Sequence, residues 1–208
     1  METSPQVVAD ARVRILDAAA EAFMRSGFSG TTIDDLARDV HATKGLVYYH
    51  FKSKFDIFLA VYGEGMRRAR ARVEPFAAGP GTGRSRIEAM SVAHLLNVME
   101  DLAYHHAVHQ AVRGEVSAGL KARQLEALND LGRLRADYEE MFRAVVAEGI
   151  ADGSLRRVNL RLAVRTLLSN LNAVDNWYRR IDGQTADDLH HLAVEIVDLL
   201  IGGLATNP

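Results

Sequence analysis

Apolar residues recur at helical spacing along most of the chain, and the alternation typical of a β-strand is nowhere sustained. The first periodic segment covers about residues 11–26 and ends at Gly27, where a left-handed residue that terminates a helix belongs. Two short segments follow, each preceded by a threonine, and a fourth segment extends from Lys54 to about Val73. The pattern predicts an all-α protein.

The rest of the chain has the same periodicity after an interruption at residues 74–84. Prolines and glycines cluster there, which predicts a loop. Further helices are predicted at about residues 85–104, 105–115, 117–151, 158–180 and 185–204. Their breaks fall at Gly114, at Asp152–Gly153 and at Asp182–Gly183.

The last two predicted helices carry apolar stripes that are wider than a small monomer can easily hide. Their members are Leu162, Val164, Leu167, Leu168, Leu171, Val174, Leu189, Leu192, Ile196, Leu199, Leu200 and Leu204. We therefore expect a homodimer in which residues 158–180 and 185–204 form a helix bundle with their copies, with Leu171 and Leu200 in the seam.

Composition narrows the class of protein. The chain has 208 residues, of which 48% are hydrophobic and 25% charged, which is typical of a globular protein with one sizeable domain or a small and a larger one. It contains no cysteine, so disulfides and thiolate metal sites are excluded. No apolar run approaches the ~20 residues that cross a bilayer, and the first residues lack a signal-peptide core, so we expect a cytoplasmic protein with no membrane partner.

The formal net charge is −2, which gives no general attraction to nucleic acid. Any DNA binding must therefore come from a local arrangement, and the two short segments provide one. The segments after Thr32 and Thr43 are joined by a tight connection at residues 41–42, which is the arrangement of a helix-turn-helix. Residues 43–45 begin the second helix, where free backbone N–H groups can bind a phosphate and Gly45 permits close approach.

The rest of this second helix has side chains suited to a DNA groove. Tyr48, Tyr49 and His50 supply hydrogen-bonding groups, whereas Val47 and Phe51 can face inward. Lys54 begins the next helix and is a further candidate for a phosphate contact. The alternative for the two tyrosines is plain core packing, although both cannot easily be buried on so short a helix.

These residues resemble the N-terminal domain of the TetR family of transcriptional regulators. The chain has TTIDDLA at residues 31–37 and KGLVYYHFKSK at residues 44–54. The usual family pattern is two threonines, a short helix and then Gly-x-hydrophobic-Tyr-x-His-Phe-x-x-Lys. Leu46 departs from the commonest pattern, in which a small hydroxyl residue follows the glycine, yet a leucine can still touch a thymine methyl group.

The resemblance implies a homodimer with a three-helix DNA-binding domain, here residues 1–55, and a larger helical domain for ligand binding and dimerisation, here residues 56–208. An effector then changes the separation of the two recognition helices and usually releases operator DNA. The expected DNA-contacting residues are Thr32, Thr43, Lys44, Gly45, Leu46, Tyr48, Tyr49, His50 and Lys54. Repression is the family default, and the residues do not separate it from activation.

The sequence is less specific about the effector. Residues 176–185, NWYRRIDGQT, are similar to a stretch of TetR-type regulators that respond to acyl-coenzyme A thioesters. We expect a large, mostly apolar effector between helices of residues 85–180, with about half of the candidate wall residues belonging to the core instead. The candidates are Met66, Met90, Leu95, Met99, Leu102, Phe142, Trp177 and, for a phosphate, Arg179. Alternatively, Trp177 is interface core and the neighbouring arginines are solvated.

Three other functions are weighed against this one. His105 and His109 are one helical turn apart, with His94 and Asp101 before them, yet hydrogen-bonding roles are favoured over a metal site, and no metal or cofactor is predicted. The chain lacks a nucleophile elbow, a phosphate-binding loop and an HExxH helix, so we do not predict an enzyme. The alternative from a different class is a helical-bundle enzyme in which the helix-turn-helix is incidental. A constitutive nucleoid-type binder is disfavoured because residues 1–55 have as many acidic as basic residues.

Overall fold

A computed structural model describes the backbone of residues 5–112 and 121–202, and the side chains of residues 10–111 and 121–202. The described residues form helices and connecting turns without a strand, which confirms the all-α class. The helices are α1 (Pro5–Gly30), α2 (Ile33–Asp39), α3 (Lys44–His50), α4 (Lys54–Ala77), α5 (Gly83–Glu100), α6 (Leu102–Val112), α7 (Ala122–Ala151), α8 (Leu160–Asn172), a 3₁₀ turn (Ala173–Asn176) and α9 (Ala186–Gly202). The predicted break at Gly114 and the end of the last predicted helix at Leu204 lie outside the described residues. None of the described helices is long and apolar enough to cross a membrane.

Helices α2 and α3 begin and end close to where the sequence predicts, whereas α1 extends beyond the predicted residues 11–26 at both ends. Gly27 leaves the helical conformation with φ 71°, although α1 resumes and ends at Gly30. Thr32 caps α2 in a capping box: its hydroxyl accepts a hydrogen bond from the Asp35 N–H, and the Asp35 carboxylate accepts one from the Thr32 N–H. Thr43 caps α3 by accepting a hydrogen bond from the Leu46 N–H. Both predicted threonine caps are confirmed.

The chain divides into two compact units, the first of which comprises residues 1–66 and 103–133. Its core is centred on four phenylalanines whose rings lie in edge-to-face or tilted pairs, with centroids 5.3–6.4 Å apart. These are Phe23, Phe28, Phe55 and Phe58. Such aromatic pairs bury large areas and favour this packing geometry, so α1 and the start of α4 form a firm support for α2 and α3.

Helix α6 also belongs to the first unit, and two of its side chains form hydrogen bonds with α1. The Tyr104 hydroxyl donates a hydrogen bond to the Asp17 carboxylate at 2.7 Å, and the buried Gln110 amide donates one to the Phe23 carbonyl at 2.9 Å. The predicted domain boundary at residue 55 remains a prediction, since α4 is a single helix across it.

The second unit comprises residues 67–102 together with residues from 134 onward. Its helices α5 and α7 approach so closely that a Cβ atom on Gly83 would lie 2.2 Å from the backbone of Gly149, so glycine is required at this crossing. The turn after α7 caps α5, because the Asp152 carboxylate accepts a hydrogen bond from the Gly83 N–H at 2.7 Å. This hydrogen bond, together with those from Ser154, lowers the pKa of Asp152.

Helices α4 and α8 also end at other residues than the sequence predicts. Helix α4 continues through Pro75 to Ala77, where the Arg86 guanidinium donates a hydrogen bond to the last carbonyl and satisfies it. Helix α8 ends at Asn172, because the chain tightens into the 3₁₀ turn and the Asn176 amide bonds back to the Ala173 carbonyl. The predicted helix at 158–180 is therefore too long.

The predicted dimer stripe is only partly exposed. Leu162 and Leu199 are 63% and 54% exposed, and Trp177 and Ile181 add further exposed apolar surface. Leu171 is fully buried in the second unit. The placement of Leu171 in an intermolecular seam is therefore wrong: helical periodicity marks an apolar face without specifying whether it packs within the chain or outside it.

Candidate functional site

Helix α3 exposes most of its side chains. Among its seven residues only Val47 is buried, and Phe51 directly after it is buried as well, which confirms the two predicted inward positions. Tyr48 is 52% and Tyr49 73% exposed, so the core-packing alternative for both tyrosines is wrong. Leu46 is also exposed. Because large apolar and aromatic side chains are usually buried, this face has the character of a contact surface.

The glycine of α3 is not required by packing within the chain. A Cβ atom on Gly45 would meet only the Thr43 hydroxyl, at an ordinary 3.6 Å. A glycine here has no conformational or packing role that alanine could not fill, and it leaves the backbone open to a close approach from outside. Thr32 and Thr43 serve as helix caps, as described above, so their hydroxyls are already engaged.

Lys44 forms an ion pair with Asp34, in the first turn of α2. The ammonium nitrogen lies 2.6 Å from a carboxylate oxygen, and both side chains are more than half exposed. Lys44 must therefore leave Asp34 before its ammonium group can contact a phosphate as predicted. Exposed ion pairs of this kind contribute about 0–1 kcal/mol, so the pair can exchange its partner at small cost.

Lys54 is held at the turn between α1 and α2. Its ammonium group donates hydrogen bonds to the carbonyls of Phe28 and Thr31 at 2.6 and 2.7 Å, and it lies 4.5 Å from the centre of the Phe28 ring. Burial lowers the pKa of Lys54. An ammonium has three donors, so two carbonyls leave one N–H for a phosphate.

His50 is half-buried at the end of α3. Burial, and secondarily the positive charge of Arg12, lower its pKa below the ordinary 6.5, so His50 is neutral at pH 7 and can only hydrogen-bond. The Arg12 guanidinium lies 5.3 Å from the centre of the Phe51 ring, beside this helix. Sequence reasoning missed Arg12; its place in the first turns of α1 gave no local signal for this contact.

The structure distributes the predicted effector-binding residues over different environments. Five of the eight are buried: Met66, Met90, Leu95, Met99 and Phe142. Leu102 is half-buried, whereas Trp177 and Arg179 are exposed, and the Arg179 guanidinium donates hydrogen bonds to the carbonyls of Asp175 and Tyr178. These eight residues thus differ widely in exposure, and their role in effector binding remains a prediction.

An open groove of about 640 Å³ is found instead in the second unit, between the end of α4, α5 and α9. Its volume lies within the ~300–1,000 Å³ typical of small-molecule sites. It is lined mainly by apolar side chains, namely Phe76, Ala89, Val92, Ala93, Leu96, Val194 and Val197. The polar lining residues are Arg72, Arg84, Glu88, His190 and Asp198. None of the eight predicted effector-binding residues lines this groove.

One of the histidines considered for a metal, His94, has other partners. His94 is buried, and its two ring nitrogens lie 2.8 Å from the Tyr138 hydroxyl and 3.1 Å from the Asn172 side-chain oxygen. Burial strongly raises the pKa of Tyr138, which keeps its hydroxyl protonated. Asp101 pairs with Arg68 at 2.8 Å. These contacts agree with the favoured hydrogen-bonding role for His94.

Two family models match the chain. Residues 15–61 match the model described as bacterial regulatory proteins, tetR family. Residues 81–204 match the model described as tetracyclin repressor-like, C-terminal domain. The second match alone covers more than half of the chain.

Curated relatives and solved structures agree with these matches. The chain is 22% identical over 194 residues to the fatty acid metabolism regulator protein of Bacillus subtilis, covering 92% of this chain and 94% of the relative. It is 26% identical to the transcriptional repressor KstR2 of Rhodococcus jostii, covering 94% and 91%. The structure of AibR with isovaleryl coenzyme A and operator DNA superposes with a TM-score of 0.75 at 19% identity, covering 92% of this chain and 98% of AibR.

Proposed function

The chain belongs to the tetR family of bacterial regulatory proteins, and on this premise we propose that it is a repressor which binds operator DNA as a homodimer until an acyl-CoA-like effector releases it. It is a transcriptional regulator rather than an enzyme. The single observation that supports DNA binding most strongly is the exposed face of α3, with Tyr49 at 73% exposure on a helix held by buried Val47. Such a regulator acts in the cytoplasm, where bacterial DNA lies.

In the proposed complex α3 lies in the major groove. Tyr48, Tyr49 and Leu46 contact bases or sugars, while Lys44, Lys54 and the backbone at Gly45 contact phosphates. His50 contributes a hydrogen bond from its neutral imidazole ring. Each Lys–phosphate contact adds to the salt dependence of binding, because it releases counterions from the DNA.

Selection of duplexes from a random library by the purified protein tests this proposal. We expect an enriched sequence with two-fold symmetry, since a dimer presents two copies of α3. Tyr49→Ala and Lys44→Ala should weaken binding to the selected duplex while leaving the melting temperature unchanged. Lys44→Ala should also reduce the slope of log affinity against log salt by about one charge equivalent.

Leu134→Ala is the control, because Leu134 is an exposed apolar residue of the second unit. It should leave DNA binding unchanged. Failure to enrich any sequence, with equal binding to scrambled duplexes, would contradict the proposal. A reporter gene whose output falls when the regulator is deleted would indicate an activator instead of a repressor.

We place the homodimer contact on the exposed apolar side chains of the last two helices and the segment between them. Leu162, Trp177, Ile181 and Leu199 are large, apolar and exposed in the single chain. Burial of apolar surface stabilises by about 25 cal/mol per Å², so pairing these residues with their copies supplies a driving force for association. Leu200 is half-buried beside them.

We place the effector in the groove between α4, α5 and α9. Its apolar lining suits an acyl chain, and Arg72 and Arg84 in the same lining suit phosphates. Each arginine is paired with a partly exposed glutamate side chain, Arg72 with Glu100 at 2.5 Å and Arg84 with Glu88 at 2.8 Å. A phosphate can replace such a glutamate at small cost.

A titration of the protein–DNA complex with fatty acids, their CoA thioesters and unrelated apolar compounds tests the effector. We expect CoA thioesters to weaken DNA binding by ~5–150-fold, the usual range of allosteric coupling. Phe76→Ala and Arg84→Gln should weaken release. Leu134→Ala is the control, because Leu134 is similarly exposed in the same unit but lies outside the groove. Release that is unaffected by Phe76→Ala and lost in Phe142→Ala would place the effector among the buried residues predicted from the sequence.

A further inference from the structure

Helix α2 carries three carboxylates next to the DNA-contacting helix, and each has a different partner. Asp35 belongs to the capping box with Thr32 and also accepts a hydrogen bond from Arg38 at 3.1 Å. Asp39 pairs with Arg25 at 3.2 Å. Asp34 alone among the three pairs with a proposed phosphate-binding residue, Lys44.

We propose that Asp34 limits the affinity of this regulator for DNA by holding the Lys44 ammonium against a carboxylate that competes with phosphate. This proposal rests on the DNA-binding function argued above. The two charged atoms are 2.6 Å apart, and the side chains are 53% and 59% exposed, so the pair lies at the surface on which DNA would dock. The carboxylate has the same charge sign and the same hydrogen-bonding capacity as a phosphate oxygen.

Docking then requires an exchange of partners. Lys44 leaves Asp34 for a phosphate, and the carboxylate stays behind beside the negatively charged backbone of the DNA. The cost of this exchange is independent of sequence, because phosphates carry no sequence information. Asp34 therefore weakens binding to operator and to unrelated DNA by similar factors, and it does so most at low salt, where charges are least screened.

A limited affinity has a direct consequence for regulation. An effector weakens DNA binding by a fixed factor. Release is therefore complete only if the affinity without effector is low enough for this factor to bring it below the level at which the DNA stays occupied. Asp34 keeps the affinity lower without altering the side chains that contact bases.

The test compares Asp34→Asn with the wild-type protein on two duplexes: the one selected from the random library and a scrambled duplex of equal length. One unit charge at contact distance in water corresponds to about a fivefold change in affinity, so we expect binding to both duplexes to tighten about fivefold at low salt. The gain should shrink as salt is raised, so that the dependence of affinity on salt becomes steeper. A melting curve of each variant verifies folding, and Asp34→Ser provides a second neutral side chain.

Two further variants separate this role from a general charge effect. Asp39→Asn removes the same charge from the same helix but leaves the Asp34–Lys44 pair intact, and it should change affinity less than Asp34→Asn. In a Lys44→Gln background the gain from Asp34→Asn should be clearly smaller, because only the repulsion between the carboxylate and the phosphates is then relieved.

The proposal is overturned if Asp34→Asn binds DNA with unchanged or lower affinity, or if its gain is equal with and without Lys44. Failure of the proposed DNA-binding function gives a different result, because the wild-type protein then selects no duplex at all.

Discussion

The short helices α2 and α3 differ from the helices of the second unit in how much of their structure follows from the local sequence. In α2 and α3 each helix begins directly after the threonine that caps it, and in α3 the residues that face inward are those predicted. In the second unit the apolar stripes were recognised correctly, but Leu171 proved to be core, whereas Leu162 and Leu199 are exposed.

This difference follows from how each region is stabilised. A seven-residue helix has too few hydrogen bonds to be stable alone, so its caps and one buried residue account for much of its placement. These features lie within a few positions of one another in the sequence. The longer helices of the second unit pack on several sides, so the same apolar periodicity serves the core, the groove and the proposed dimer contact.

The largest expected effect is the difference between a charge introduced at the buried Leu171 and one introduced at the exposed Leu199. Leu171→Glu should unfold the second unit, since a buried, unpaired carboxylate costs more than about 3 kcal/mol. Leu199→Glu should leave the fold intact and yield a monomer that binds the selected duplex weakly. Circular dichroism and sedimentation at micromolar concentration measure both outcomes.

Leu134→Glu is the control for this comparison, because Leu134 is 44% exposed on α7, outside the last two helices. It should remain dimeric. A wild-type protein that sediments as a monomer, or a dimeric Leu199→Glu variant, would contradict the proposed dimer contact.

A moderate effect is expected from the helix caps. Thr43→Ala removes the side chain that accepts a hydrogen bond from Leu46 N–H, and such a loss costs about 1 kcal/mol. Because α3 is so short, we expect this variant to lose DNA affinity as well. Asn159→Ala removes the equivalent cap of the thirteen-residue α8 and should lower the melting temperature without the same loss of DNA binding. Equal DNA binding by Thr43→Ala and the wild type would show that α3 does not depend on its cap.

The smallest expected effect concerns pH. The native state lowers the pKa of His50 below 6.5, so the unfolded chain binds a proton more readily, and stability falls as pH drops below 6.5. The melting temperature of the wild type should therefore decrease more between about pH 7.5 and about pH 5.5 than that of His50→Gln. An identical decrease in both proteins would show that His50 does not contribute to the pH dependence.

The DNA-binding face was largely predictable from the sequence, while the ionic contacts around it were not. Thr32, Thr43, Val47 and the exposure of Tyr49 follow from capping rules and periodicity. The partners of Lys44 and Lys54 lie ten or more positions away, on α2 and at the turn after α1, and no local rule connects them.

The groove was not predictable from the sequence. Phe76 lies in a stretch that was predicted to be a loop because of Pro75, and it is helical because Arg86 satisfies the end of α4. Val194 and Val197 lie on the predicted helix 185–204, but neither was among the apolar residues singled out on it. Their common surface exists only because α9 packs along α5.

The sequence by itself therefore determined the all-helical class, the helix-turn-helix and its exposed recognition face, since these depend on residues that are neighbours along the chain. Only the tertiary structure decided which leucines are core, where the groove lies and that Asp34 holds Lys44. Each of these depends on side chains from separate helices, whose directions are set by packing rather than by spacing in the sequence.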